Sequence, residues 1–176
     1  MPGSSEEIPP MVIGGSILSA VSLILHIIGF STAYWFRFNT VHMGLWRYCA
    51  EDKHIIKGAE YCLDLIDGLG HFNQLIVAQI LECFALLAFL AALSCAFLKM
   101  FVLKDQGMLF LVTCLLNWLA GGLALVGVTV YATMSFGGSK LGNSHFHYSF
   151  GLCIVGGIGG VFSGIVFLLA WRWVRN

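Results

Sequence analysis

The sequence predicts an all-α membrane protein with a small β element: four transmembrane helices in a bundle, capped on one side by strand-forming loops. Three observations predict it. Of 176 residues, 59% are hydrophobic and only 10% charged, against roughly 25% charged in soluble domains. Four apolar runs, at about residues 12–34, 73–98, 109–133 and 149–171, each reach the ~20 residues that cross a bilayer at 1.5 Å per residue. Between the runs, two polar segments carry alternating aromatic residues.

Each run must be helical, because no water is present in the hydrocarbon to satisfy main-chain groups. The first is too long for a cleaved signal peptide, lacks a basic leading region and shows no small-residue cleavage site, so it reads as a signal anchor. The whole chain, 1–176, reads as one four-span membrane domain.

Orientation follows from charge density. The short connector of about residues 99–108 holds Lys99 and Lys104, and the C-terminal end holds Arg172 and Arg175. The other side holds Arg37, Arg47, Lys53, Lys57 and Lys140, spread over much longer loops. Dense basic residues stay in the cytoplasm, so both termini are expected there. Cysteine usage agrees. Cys49 and Cys62 are the two cysteines outside the apolar runs and share one loop, a pattern that reads as a disulfide in an oxidising compartment. Closing a loop of about 14 residues contributes roughly 3 kcal/mol in the chain-entropy picture. The expected extracellular loops are about 35–72 and 134–148.

Both loops carry strand signals. Phe36 and Phe38 alternate with Arg37 and Asn39, and Phe146, Tyr148 and Phe150 alternate with His145, His147 and Ser149. Period-two alternation suits a half-buried strand. Gly137-Gly138 and Gly142-Asn143 supply turns before the second set. Strands from the two loops are expected to join in one sheet over the bundle.

Trp35 at the outer end of the first run, then Gly44-Leu45-Trp46, then Cys49 and Cys62, resemble the signature of the claudin superfamily. That superfamily includes claudins, peripheral myelin and epithelial membrane proteins, the lens fibre membrane protein and calcium-channel gamma subunits. The resemblance covers the whole chain and implies a left-handed four-helix bundle topped by a small antiparallel extracellular sheet. It implies that Cys49 and Cys62 form the sheet's disulfide, and that Trp35, Gly44, Leu45 and Trp46 seat the sheet on the membrane surface. Some family features differ. His71, Phe72 and Asn73 stand where claudins carry a basic residue, no Asn-x-Ser/Thr sequon is present, and the chain ends in WRWVRN rather than a Tyr-Val ending that binds PDZ scaffolds.

Within the spans, Glu82 and His26 fall at nearly the same depth by the 1.5 Å rise. A lone carboxylate at the bilayer centre costs about 2.5–3.5 kcal/mol on the insertion scale. The two residues are therefore expected to form an interior polar pair, with Gln79 one turn away and Asn117 too far toward the cytoplasm. A proton relay would need a longer chain of ionisable groups. In the fourth run, Gly156, Gly160 and Gly164 form a small-xxx-small ridge for helix packing, inside the bundle rather than across a homodimer seam. Cys83, Cys114 and Cys153 read as inert small hydrophobes.

Composition and motifs narrow the function. No basic block offers nucleic acid an electrostatic handle. No GxSxG elbow, phosphate-cradling glycine loop or HExxH appears, so no enzyme activity, cofactor or metal is expected. The extracellular histidines His42, His54, His71, His145 and His147 lack ligand spacing and read as solvated groups. Nor is there the inverted repeat of many transporters. The expectation is a plasma-membrane protein of cell–cell contacts, junctions or paracellular barriers, touching lipid and either itself, in cis or trans, or another membrane protein. The alternative is an accessory subunit that modulates a channel. Its recognition residues would be Arg47, Glu51, Asp52, Lys53, Lys57 and Glu60, together with Arg37, Asp64 and Asp67. Phe136, Phe146 and Tyr148 would serve as aromatic anchors. Four basic and five acidic side chains in the first loop leave it nearly neutral, which predicts no strong ion selectivity.

Overall fold

The structure, a computed structural model, describes residues 10–52, 59–65, 73–102, 107–136, 139–140 and 146–175. In chain order, helix α1 (Pro10–Ser31) leads into strands β1 (Phe36–Phe38), β2 (Val41–Met43), β3 (Arg47–Asp52) and β4 (Ala59–Asp64). Then come α2 (Asn73–Phe101), α3 (Met108–Ala132), the short pair β5 (Ser135–Phe136) and β6 (Ser139–Lys140), and α4 (Tyr148–Arg175). All four helices are long and apolar enough to cross a bilayer, and the chain is a multi-pass membrane protein.

Helix α2 packs along α3, α3 along α4 and α4 along α1, while a slighter α1–α2 contact closes the ring. Residue size, more than hydrophobicity, decides which face turns inward. Buried positions in α1 include Val12, Gly15, Ser19, Ser22, His26 and Gly29. In α2 they include Leu75, Ala78, Glu82, Ala85, Phe89, Ala92, Ala96 and Lys99. In α3 they include Phe110, Thr113, Asn117, Ala120, Ala124, Gly127 and Tyr131. In α4 they include Ser149, Cys153, Gly156, Gly160, Ser163, Phe167 and Ala170. Every set advances by alternating steps of three and four. That mean of about 3.5 residues is the spacing that winds helices into a left-handed supercoil. Bulky residues such as Ile17, Ile24, Leu87 and Phe162 face outward, where a bilayer covers them.

Polar side chains inside the bundle bond both across helices and back to their own. Ser19 Oγ donates to Asn117 Oδ1 at 2.9 Å, Asn117 Nδ2 donates to the Thr113 carbonyl at 2.9 Å, and Ser163 Oγ donates to the Gly15 carbonyl at 3.0 Å. Each bond satisfies a group that would otherwise be costly in hydrocarbon.

The four longer strands form an antiparallel meander in the order β1-β2-β3-β4. The β1–β2 turn is two residues, Asn39 and Thr40. Asn39 has φ 53°, in the left-handed region that asparagine enters more readily than most residues. The second loop behaves differently from its sequence pattern. Among the described residues of the predicted strand, Phe146 alone makes a bridge, antiparallel to Phe36, and Tyr148 to Phe150 are already helical. Positions 146 and 150 are also one helical turn apart, and their rings stack at 4.2 Å. The alternation was the entry to a helix, not a strand. The β5–β6 pair, which flanks Gly137-Gly138 in sequence, forms a separate two-stranded sheet. Those glycines, Gly142-Asn143 and His145 lie outside the described residues.

Candidate functional site

The end of α1 explains how the sheet is seated. A helix leaves its last carbonyls without intrahelical partners. Here Thr32 Oγ1 donates to the Ile28 carbonyl at 2.7 Å, the Trp35 indole N–H to the Gly29 carbonyl at 2.7 Å, and the Trp46 indole N–H to the Phe30 carbonyl at 2.9 Å. Two tryptophans from the loop thus cap the helix, and each buried indole gains the acceptor it needs. Gly44 lies against the same turn: a Cβ on it would meet the Thr32 carbonyl oxygen and Ala33 Cα at 2.6 Å. Leu45 is fully buried, and its carbonyl accepts from Gln79 Nε2 of α2 at 2.6 Å. Gln79 therefore serves the sheet rather than Glu82.

Helix α4 is tied to the same segment. The Ser149 amide donates to the Tyr34 carbonyl and the His147 amide to the Trp35 carbonyl. The Thr32 and Ser149 hydroxyls meet at 2.7 Å. Trp35 is wholly buried beside Tyr131 and Phe150. With Met43, Leu45, Leu65, Leu75 and Met134 it forms the apolar cluster under the sheet.

The sheet has two unlike faces, because successive side chains point to opposite sides. Phe36, Met43 and Tyr48 pack onto the cluster beneath. In the β3–β4 register, Tyr48 stands opposite Leu63 and Ala50 opposite Tyr61, so the same face runs outward to half-exposed Leu63 and Tyr61. The other face carries the Cys49–Cys62 disulfide and two ion pairs: His42 Nε2 with Glu60 Oε1 at 2.8 Å, and Arg47 Nε with Asp64 Oδ1 at 3.4 Å. His42 also stacks on Tyr34 at 4.5 Å. Glu51 is exposed opposite Glu60, and Asp52 ends β3 opposite Ala59. Phe146 is partly buried, and half-exposed Tyr148 stacks on Tyr34. Lys53, Lys57, His54, Asp67 and His71 lie outside the described residues. His42 and Glu60 also approach Cys49, but that sulfur is committed to the disulfide.

The glycines of α4 face inward. Gly156 meets the α1 main chain at Ser22 and His26, Gly160 meets the Phe89 ring, and Gly164 meets the Trp118 indole. Deeper than the sheet, His26 and Glu82 are both fully buried. His26 Nε2 lies 3.3 Å from the Glu82 main-chain carbonyl and Nδ1 3.6 Å from Glu82 Oε2. The second separation is too long for a hydrogen bond. His26 Nδ1 and both Glu82 carboxyl oxygens are buried with no hydrogen-bond partner. Cys153 joins them, with its sulfur, a histidine nitrogen and a carboxylate oxygen all within 4.8 Å of one another. Sequence reasoning grouped Cys153 with the inert cysteines, because nothing in the spacing of 26, 82 and 153 marks them as neighbours.

No family model matches the chain. It is 27% identical over 175 residues to the lens fiber membrane intrinsic protein of Homo sapiens, with 90% of each chain covered.

Proposed function

We propose that this is a non-enzymatic, claudin-like membrane protein that acts at cell–cell contacts, with both termini cytoplasmic and the four-stranded sheet outside the cell. One observation carries the reading. The sheet is fastened to the bundle by two indole caps, the Gly44 crossing and the Gln79 bond, yet its outer hairpin presents Tyr61, Leu63 and two surface ion pairs. A rigid platform with an amphipathic outer strand suits recognition, since pre-ordered side chains lose little entropy on binding. The similarity to a lens fiber membrane protein over nearly its whole length supports the same reading. Arg47, Glu51 and Glu60 provide the polar rim, and Phe146 and Tyr148 the neighbouring aromatic surface.

The test is expression in epithelial cells that lack junction strands, scored for enrichment at contacts and for transepithelial resistance. Contact enrichment that is lost in a Tyr61→Ser, Leu63→Ser double variant still delivered to the surface supports the reading. Diffuse surface staining with unchanged resistance would sink it, and would favour an accessory subunit of another membrane protein.

A further inference from the structure

We propose that His26, Glu82 and Cys153 form a site for one zinc-class divalent cation, which staples α1, α2 and α4 together beneath the sheet. His26 Nε2 faces the Glu82 main-chain carbonyl at 3.3 Å, so that nitrogen carries the hydrogen. Nδ1 is left with a lone pair aimed toward the Glu82 carboxyl group. Binding one ring nitrogen to a main-chain carbonyl is how proteins orient a metal-ligating imidazole. Nδ1, one Glu82 carboxyl oxygen and the Cys153 sulfur then converge as electron-pair donors within 4.8 Å of one another, and neither Nδ1 nor the carboxyl group has a hydrogen-bond partner. Such a group needs an electrophile at its centre.

Geometry and charge both suit zinc. With bonds of about 2.0–2.3 Å and tetrahedral angles, neighbouring ligand atoms lie roughly 3.3–3.7 Å apart. The His26–Glu82 separation is 3.6 Å, and the Cys153 sulfur lies within 4.8 Å of both partners. Nitrogen, oxygen and sulfur together are a borderline ligand set, which favours zinc over magnesium or calcium. One carboxylate, one thiolate and a neutral imidazole balance a dipositive ion, leaving no net charge in the low-dielectric interior. On uptake the Cys153 thiol proton leaves to water, along with any proton held by Glu82. The surroundings are shaped for the cluster. Gly29 leaves room for the Cys153 sulfur and Gly127 for the Glu82 carboxyl group, while Phe30 and Phe89 flank the His26 ring. An apolar shell of this kind limits water at a metal site.

The ligands come from three helices, so the site is complete only when α4 has docked. The experiment uses the full chain, purified in detergent through a histidine-free tag. Zinc content is measured by elemental analysis after dialysis, and cobalt is substituted for zinc to report the ligands by absorption. The expected result is about one metal per chain, a thiolate-to-cobalt charge-transfer band, and a higher unfolding temperature with zinc than after chelation. The band disappears in Cys153→Ser and metal content falls at least tenfold in Glu82→Gln, whereas Cys114→Ser, at the other end of the bundle, keeps both. The wild-type cobalt spectrum alone is decisive if a variant fails to fold. A wild-type chain that holds no metal, or one whose cobalt spectrum shows no sulfur ligand, overturns the proposal and leaves a proton shared between His26 and Glu82.

Discussion

The two ends of the bundle are built on different principles. At the end away from the sheet, Val12, Ala96, Phe110, Phe167 and Ala170 pack chiefly as apolar surfaces, with few directed contacts such as Lys99 Nζ over the Phe110 ring at 4.9 Å. At the sheet end, the cluster around Trp35 is threaded by directed bonds from indoles, amides and hydroxyls to main-chain carbonyls. The difference follows from what each end must hold. Helices in hydrocarbon satisfy their own main chain and need only close packing. A sheet resting on them brings unsatisfied edges and helix ends, and those require specific partners.

The largest effect should come from cutting the cluster at each end with matched changes. Trp35→Ala and Phe167→Ala should each cost about 3–5 kcal/mol, measured as unfolding in detergent. Only Trp35→Ala should also speed reduction of the Cys49–Cys62 disulfide, because only it loosens the sheet. Equal reduction rates in the two variants would dissolve the distinction between the ends. Next, Cys49→Ser with Cys62→Ser should lower stability by about 2–4 kcal/mol while far-ultraviolet dichroism retains the helical signal. Gly44→Ala should cost about 1–3 kcal/mol, the range for overpacking a tight contact. The atoms the added Cβ would meet, the Thr32 carbonyl oxygen and Ala33 Cα, are main chain, so an added Ala33→Gly change should not restore the lost stability. The smallest effect belongs to Trp46→Phe, which keeps the ring and removes one N–H bond, for about 0.5–1.5 kcal/mol. Amide exchange at the end of α1 would report it directly.

Those same differences decide what could be read from the sequence. The spans were legible, because length and hydropathy report membrane crossing whatever the packing. Strand β1 was legible from the alternation at Phe36 to Asn39, while its partner β2 (Val41–Met43) was not. The inward faces were not legible from hydropathy, since Ile17 and Ile24 on the lipid side are more apolar than Ser19 and His26 inside. Small and polar residues at steps of three and four were the readable signal. At Phe146 to Phe150, spacings of two and four coincide, and the helix prevailed once α4 had to begin at the membrane surface. The tryptophans were found by resemblance to a known signature, yet their targets, the Gly29 and Phe30 carbonyls, are main-chain atoms that no side-chain pattern announces. Cys153 beside Glu82 depends on how α4 meets α2, which no local spacing encodes.

The indole caps also set an order of assembly. Gly29 and Phe30 receive their donors from Trp35 and Trp46, six and sixteen residues downstream. The end of α1 can therefore close while the ribosome is still making the second span. Cover for the Trp35 ring arrives much later, with Tyr131 of α3 and Phe150 of α4. A nascent chain stalled after α2 would carry a finished helix end and an indole covered only by its loop neighbours and Leu75. The rest of its cover waits for the last span, a mark by which quality-control machinery could tell an unfinished chain from a complete one.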